Sequence, residues 1–248
     1  MLLNKKTPKI AICACIKEEG PYLKEWLDYH MSIGVEHFYL YDNGSTDDTK
    51  EIISQYSNIT YFYTEELGMQ MKVYYHCLQN AKEEWVGFID ADEFVVPIEK
   101  PLPEMLKDFD DYAGLAINWV VYGSSGHKLK PPGNVKDSYL YRSEYDFDIN
   151  NHVKCFVKPK RISQPITPHS FQCKENHIVN ENFEPVNGPL VPFSGYKIRI
   201  NHYFCKSVEE FMKKIQRGRA ASATNHRTFD YFGIHDKNDV YDDILKGK

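Results

Sequence analysis

Short continuous apolar runs recur along the first part of the chain, and each gives way to a stretch whose apolar residues fall three and four positions apart. The run from Lys9 to Ile16 predicts a strand buried on both faces. A helix is expected from Pro21, with Leu23, Trp26, Leu27, His30 and Ile33 on one face and Gly34 ending it. The same rhythm predicts a strand over 36–41 and a helix over 46–56, capped by Ser45 or Thr46 with Asp47 and Asp48 in its first turn. A strand over 59–63, a helix over 69–81 and a strand over 85–90 follow. Repeated β-α units of this kind build a mainly parallel sheet with right-handed crossovers.

After Asp92 the pattern changes. A short helix through Met105 and Leu106 precedes a strand over 115–121 and a loop rich in Gly, Pro and Ser over 123–135. Residues 138–200 read as several β segments, among them 153–158 and 196–200, and an amphipathic helix is expected over 208–219. The final stretch is too mixed to assign. A single α/β domain over 1–248 accounts for this, with a nucleotide-binding half over about 9–95 and an acceptor-side, β-rich half over about 96–220.

Composition narrows the partners. The 248 residues carry a formal net charge of −5 and no long run of one sign, so nucleic acid is not the expected partner. Lys213, Lys214, Arg217 and Arg219 gather basic charge on the late helix, where they could meet phosphate or an anionic membrane surface, although a solvated face is the ordinary explanation for most of them. The chain has no apolar stretch of membrane-spanning length and its start lacks the core of a signal peptide, which gives the expectation of a cytoplasmic protein. Cysteines at 13, 15, 77, 155, 173 and 205 form no Cys-x-x-Cys pair, which points to reduced thiols and away from zinc.

The chemistry gathers at Asp90-Ala91-Asp92, which closes the apolar run Trp85 to Ile89. Side chains two apart on a strand point the same way, and hard carboxylate oxygens suit Mg2+ or Mn2+. Strand carboxyl ends are also where open α/β sheets take ligands, so the pair suits a nucleotide-sugar diphosphate. The competing reading is that both acids only stop the strand and shape a turn. A second acidic strand end, Asp42-Asn43-Gly44-Ser45-Thr46-Asp47, favours the ligand reading.

These residues resemble a known family. Cys15-Ile16-Lys17-Glu18-Glu19, Glu25-Trp26-Leu27, Tyr41 to Asp47, Phe88 to Phe94, Trp119 to His127, Val153-Lys154 through Pro159, and Asn201-His202-Tyr203 with Lys206 to Phe211 are together similar to the GT-A fold glycosyltransferases of families 2 and 92. The resemblance implies a metal-dependent enzyme that moves a hexose from a nucleotide diphosphate sugar, expected to be uridine-linked, to a glycan or lipid-linked glycan hydroxyl with inversion. It implies that Cys15, Lys17, Glu19, Asp42 and Asp90 hold the donor, and that Asp90, Asp92 and His202 hold the metal. The family commonly has Asn where this chain has Glu18.

An inverting transfer also needs a base opposite the leaving group. His127, Glu144, Asp146 and Asp148 are candidates because they follow the strand expected to wall the acceptor site; a surface role is the ordinary alternative for each. Trp119 could serve as an acceptor platform, and His169 matches a family position that could touch substrate. The expected setting is bacterial surface-polysaccharide or lipopolysaccharide synthesis, in the cytoplasm near the inner membrane. Two alternatives remain. A sugar nucleotidyltransferase would need a Gly-rich phosphate loop after the first strand, which Cys15 to Pro21 lacks. A non-catalytic nucleotide-sugar or glycan-binding protein could keep the same fold.

Overall fold

The computed structural model describes residues 7–66, 68–218 and 227–248. In chain order the elements of the first half are β1 (Ile10–Ile16), α1 (Gly20–Ser32), β2 (His37–Asp42), α2 (Thr49–Ile53), β3 (Ile59–Tyr63), α3 (Gln70–Asn80), β4 (Trp85–Phe88) and β5 (Glu93–Pro97). The second half adds α4 (Leu102–Asp108), β6 (Gly114–Val121), α5 (Val135–Ser138), β7 (Tyr141–Arg142), β8 (Val153–Val157), β9 (Ile162–Thr167), β10 (Ser170–Cys173), β11 (Ile178–Val179), β12 (Ile198–His202), α6 (Val208–Arg217), α7 (Asp230–His235) and β13 (Val240–Tyr241). Single 3-10 turns occupy Asp148–Asn151 and Pro159–Arg161.

Among the described residues the main sheet runs β3-β2-β1-β4-β8-β6-β12-β5, with β11 paired to β6. The first four strands are parallel, β8 runs against both of its neighbours, and β12 pairs parallel with β6 and antiparallel with β5. This is the mainly parallel sheet with a mixed, β-rich second half that the resemblance implies. Gly87 is required by a close approach across the β4–β8 pair: a Cβ there would lie 2.5 Å from Cζ of Phe156.

Three expectations need correction. The helix expected over 46–56 is only Thr49–Ile53, because its proposed caps are engaged elsewhere. Ser45 Oγ accepts from Glu18 N and Asp47 Oδ2 from Gly20 N, which ties the loop after β2 to the loop after β1. β5 falls in a stretch left unassigned, and β12 begins two residues later than expected. No described helix is long and apolar enough to cross a membrane.

Helix α1 fixes β5 through its buried face. Trp26 Nε1 donates to Glu93 O (2.8 Å), Tyr29 OH donates to Val95 O (2.7 Å), and Val95 N donates to His30 Nε2 (3.3 Å). Nδ1 of His30 must then donate to Trp26 O, so the ring is neutral, and burial pulls its pKa down to about 3. The unfolded chain binds a proton near pH 6.5 that the folded chain refuses, so stability is complete above that pH and falls below it. The expected slope from His30 is about 1.4 kcal/mol per pH unit between roughly pH 6 and 4. Urea midpoints across that range should show this slope in the wild type and a shallower one in His30→Phe; equal slopes would remove His30 as its source.

Candidate active site

The strand β4 ends at Phe88, so Asp90 and Asp92 lie in the turn into β5 and not on one strand as the sequence suggests. Glu93 makes that turn: its Oε2 accepts from Asp90 N (2.8 Å) while its own N donates to Asp90 O. Both aspartates nevertheless face one cavity of about 550 Å3. Pairing of β12 with β5 places His202 opposite Glu93, and Tyr203 N donates to Asp92 O (2.9 Å). His202 Nε2 therefore sits 3.6 Å from Asp92 Oδ1, while its Nδ1 is buried without a partner.

Each carboxylate is also met by a buried lysine, Lys154 for Asp90 and, for Asp92, the Lys214 of the late helix. Lys154 Nζ lies 2.8 Å from Asp90 Oδ2 and 3.7 Å from Glu93 Oε1. Burial opposes its charge, but Asp90 and Glu93 outweigh that and hold the ammonium above its ordinary range. Lys214 Nζ lies 2.5 Å from Asp92 Oδ2, and burial pulls its pKa down to about 8 against the pull of that carboxylate. Asp92 stays ionised: burial would raise its pKa, but Lys214 and His202 hold it well below the usual range.

Helix α6 supplies a second tie. Arg217 pairs with Glu19 Oε1 (2.6 Å) and donates to Lys17 O (2.6 Å). This clamps the loop after β1, where Glu18 holds φ +51, a left-handed conformation that Asn tolerates better. Of the four basic residues of this helix, for most of which a solvated face is the ordinary explanation, Lys213 is solvated and paired with Glu209; Lys214 and Arg217 turn inward, and Arg219 lies outside the described residues. The signal was available. The helical spacing of Phe211, Lys214 and Ile215 puts Lys214 on the apolar face of α6.

Cys15, Lys17, Glu19, Asp90, Asp92, Trp119, His169 and His202 all line the cavity. Asp42 is spent within the protein, its Oδ1 on Ser45 N (2.8 Å) and its Oδ2 on Tyr61 OH (2.9 Å), and is not in the cavity wall. The four base candidates also lie outside it. His127 Nε2 donates to Ser138 O, and Glu144 and Asp146 border a separate surface hollow. Asp148, itself exposed, starts a 3-10 turn whose next residue, Ile149, is the one that reaches the cavity.

Besides His202, three histidines line it: His152, His169 and His235. In each, Nδ1 lies 3.0, 2.8 and 2.8 Å respectively from a backbone carbonyl, so Nδ1 carries the proton and Nε2 is the acceptor. Burial lowers His169 to about 3, with Lys154 adding to the effect, and lowers His235 to about 4. Trp119 packs among them, stacked on His152 at 5.0 Å and tilted on His202 at 4.2 Å.

Whether these groups could hold a divalent ion is answered by Asp92 and His202. Ligand atoms each about 2.1 Å from one ion are themselves about 3.0 to 3.6 Å apart, and Asp92 Oδ1 and His202 Nε2 meet that spacing. Asp90 fits less well, because Lys154 and Gln70 already occupy its oxygens. Among the described residues no three such side chains converge into a preformed cage, so donor oxygens would have to complete the shell.

The sheet order and the acidic turn beside a basic helix define a GT-A architecture. The chain belongs to glycosyltransferase family 92, whose profile matches residues 9–237. Curated relatives include family 92 proteins of Ricinus communis (29% identical, covering 95% of this chain and 42% of the relative) and Oryza sativa subsp. japonica (28%, 88% and 37%). The chain thus spans less than half the length of these relatives.

Solved structures with similar folds include the mannosyltransferase PcManGT from Pyrobaculum calidifontis in complex with GDP-Man and Mn2+ (TM-score 0.40, 19% identity, 46% of this chain and 36% of that one). Residues 1–349 of S. aureus TarS in complex with UDP are a second (0.42, 16%, 61% and 47%).

Proposed function

We propose that this chain is a glycosyltransferase domain that moves a hexose from a nucleotide diphosphate sugar to a hydroxyl of a glycan. The observation that carries this reading is the pairing of Asp92 with His202 at a cavity also lined by Lys17, Lys214 and Arg217. Carboxylate and imidazole suit Mn2+ or Mg2+, and ammonium and guanidinium groups beside them suit a diphosphate.

Asp92 and His202 would hold the cation, which would supply positive charge against the departing diphosphate. The chain's own residues do the rest. Lys214 contributes positive charge at the same point, and because Asp92 holds it in place it needs no reorganisation during the reaction. Arg217 keeps the loop Lys17 to Glu19 at the donor end of the cavity. Trp119 forms the apolar wall against which a sugar face can rest. For an inverting transfer, the acceptor's proton goes to Nε2 of His152, since burial makes His169 and His235 poor bases.

A uridine donor remains part of this proposal, as does a cytoplasmic site of action beside a membrane. The bacterial surface-glycan setting gains no support from the curated relatives, which come from plants. A thermal-shift panel of uridine and guanosine diphosphate sugars, with Mn2+ and with chelator, tests the reading. A manganese-dependent rise in melting temperature for at least one donor is expected. No rise with any donor would remove the proposal.

A further inference from the structure

A second hollow, of about 630 Å3 and wide open, lies apart from the cavity and is lined by Glu144, Tyr145, Asp146, Phe193 and Tyr196. Its floor is a rigid aromatic stack. Tyr145 and Phe193 are parallel with centroids 4.8 Å apart, and Tyr196 meets both edge-on at 5.5 Å. The opposite face of Tyr145 is covered by the Arg142 guanidinium at 4.1 Å, and its OH accepts from Arg199 Nη1 (2.8 Å). Both arginines pair with Asp242, which leaves one net positive charge in the layer beneath the stack. Glu181 Oε1 accepts from Tyr196 N and anchors the backbone that carries the outermost ring.

That ring is 62% exposed, an unusual use of a large aromatic that is pinned in place. Beside it the carboxylates of Glu144 and Asp146, both solvent-exposed, have no protein partner among the described residues. A flat ring face next to carboxylate acceptors matches a sugar, whose C–H face is apolar and whose hydroxyls donate. Preorganisation of the stack lowers the ordering cost of binding. The surplus negative charge disfavours phosphate-bearing ligands.

The platform is mechanically joined to the transfer cavity. Asn151 Oδ1 accepts from Phe193 N, and the same 3-10 turn carries Ile149 into the cavity wall. Asp146 and Ile149 are three residues apart, at most about 11 Å of extended chain.

We infer that this hollow is a glycan-binding subsite that grips a neutral sugar unit of the acceptor chain outside the transfer cavity. Only the word acceptor rests on the function proposed above; sugar binding at the platform does not. The test is titration of the full chain with linear neutral gluco-, galacto- and manno-oligosaccharides, read by saturation-transfer NMR and calorimetry.

At least one series should bind. Tyr196→Ala should weaken it about tenfold, the size of one aromatic contact, while Tyr196→Phe keeps it. The double change Glu144→Gln with Asp146→Asn should weaken it as well, and manganese-dependent UDP binding should be unaffected by Tyr196→Ala. The inference is overturned if no series binds, if Tyr196→Ala binds as the wild type does, or if a lysine-rich peptide occupies the hollow in place of every sugar. Failure of the transferase reading would register separately, as absence of UDP binding by the wild type.

Discussion

Replacing Lys154→Met will lower stability by about 3 to 5 kcal/mol, the usual cost of stripping a buried ion pair of one partner. The side chain is fully buried, and its ammonium is shared by Asp90 and Glu93. At roughly 2 to 4 °C per kcal/mol for a chain of this size, the melting temperature should drop by about 10 °C. The pH dependence of the deficit identifies its cause. Burial already holds Glu93 well above the ordinary carboxyl range, with Lys154 opposing, and Asp90 is held below that range because Lys154 outweighs its burial. Removing the lysine raises both folded-state values above the unfolded ones. Stability from such a group is present below the unfolded pKa and is lost as pH rises, so the gap between variant and wild type should narrow towards about pH 5. A gap independent of pH would mean that lost packing, and not charge, causes the deficit.

The second large effect falls on function. Asp92→Asn should cut manganese-dependent donor binding at least about a hundredfold, which corresponds to several kcal/mol of cation-mediated interaction. The amide oxygen can still accept from Lys214, so folding is retained where Asp92→Ala would leave that lysine unpaired. Circular dichroism and donor titration on the same sample separate the two outcomes. Unchanged binding would show that Asp92 serves only as the partner of Lys214.

Much of the fold was legible because its strands are continuous apolar runs. The expected boundaries of β1, β2, β3 and α3 agree with the observed ones to within a residue or so. β5 was missed although Phe94-Val95-Val96 carries strand character, because the acids before it read as the end of structure and not as a turn held by the side chain of Glu93. Asp92 and His202 each lie in a recognisable motif, and both line the cavity. Their meeting depends on the antiparallel β5–β12 pair, more than a hundred residues apart in sequence, which no local pattern specifies.

The four base candidates fall outside the cavity for the same reason. The segment after β6 was expected to wall the acceptor site, whereas only Ile149 and His152 of that segment reach the cavity. Lys154 carried a readable signal, a lysine inside Val153-Lys154-Cys155-Phe156-Val157, where an apolar strand has to supply a carboxylate partner.

Central to the proposed transfer is a cation shared by Asp92, His202 and the donor diphosphate. Anomalous scattering from manganese in crystals grown with uridine diphosphate measures this directly. The expected result is a manganese peak between Asp92 and His202, with the diphosphate facing Lys214. Bound nucleotide with manganese held by other residues, or with none, would contradict it.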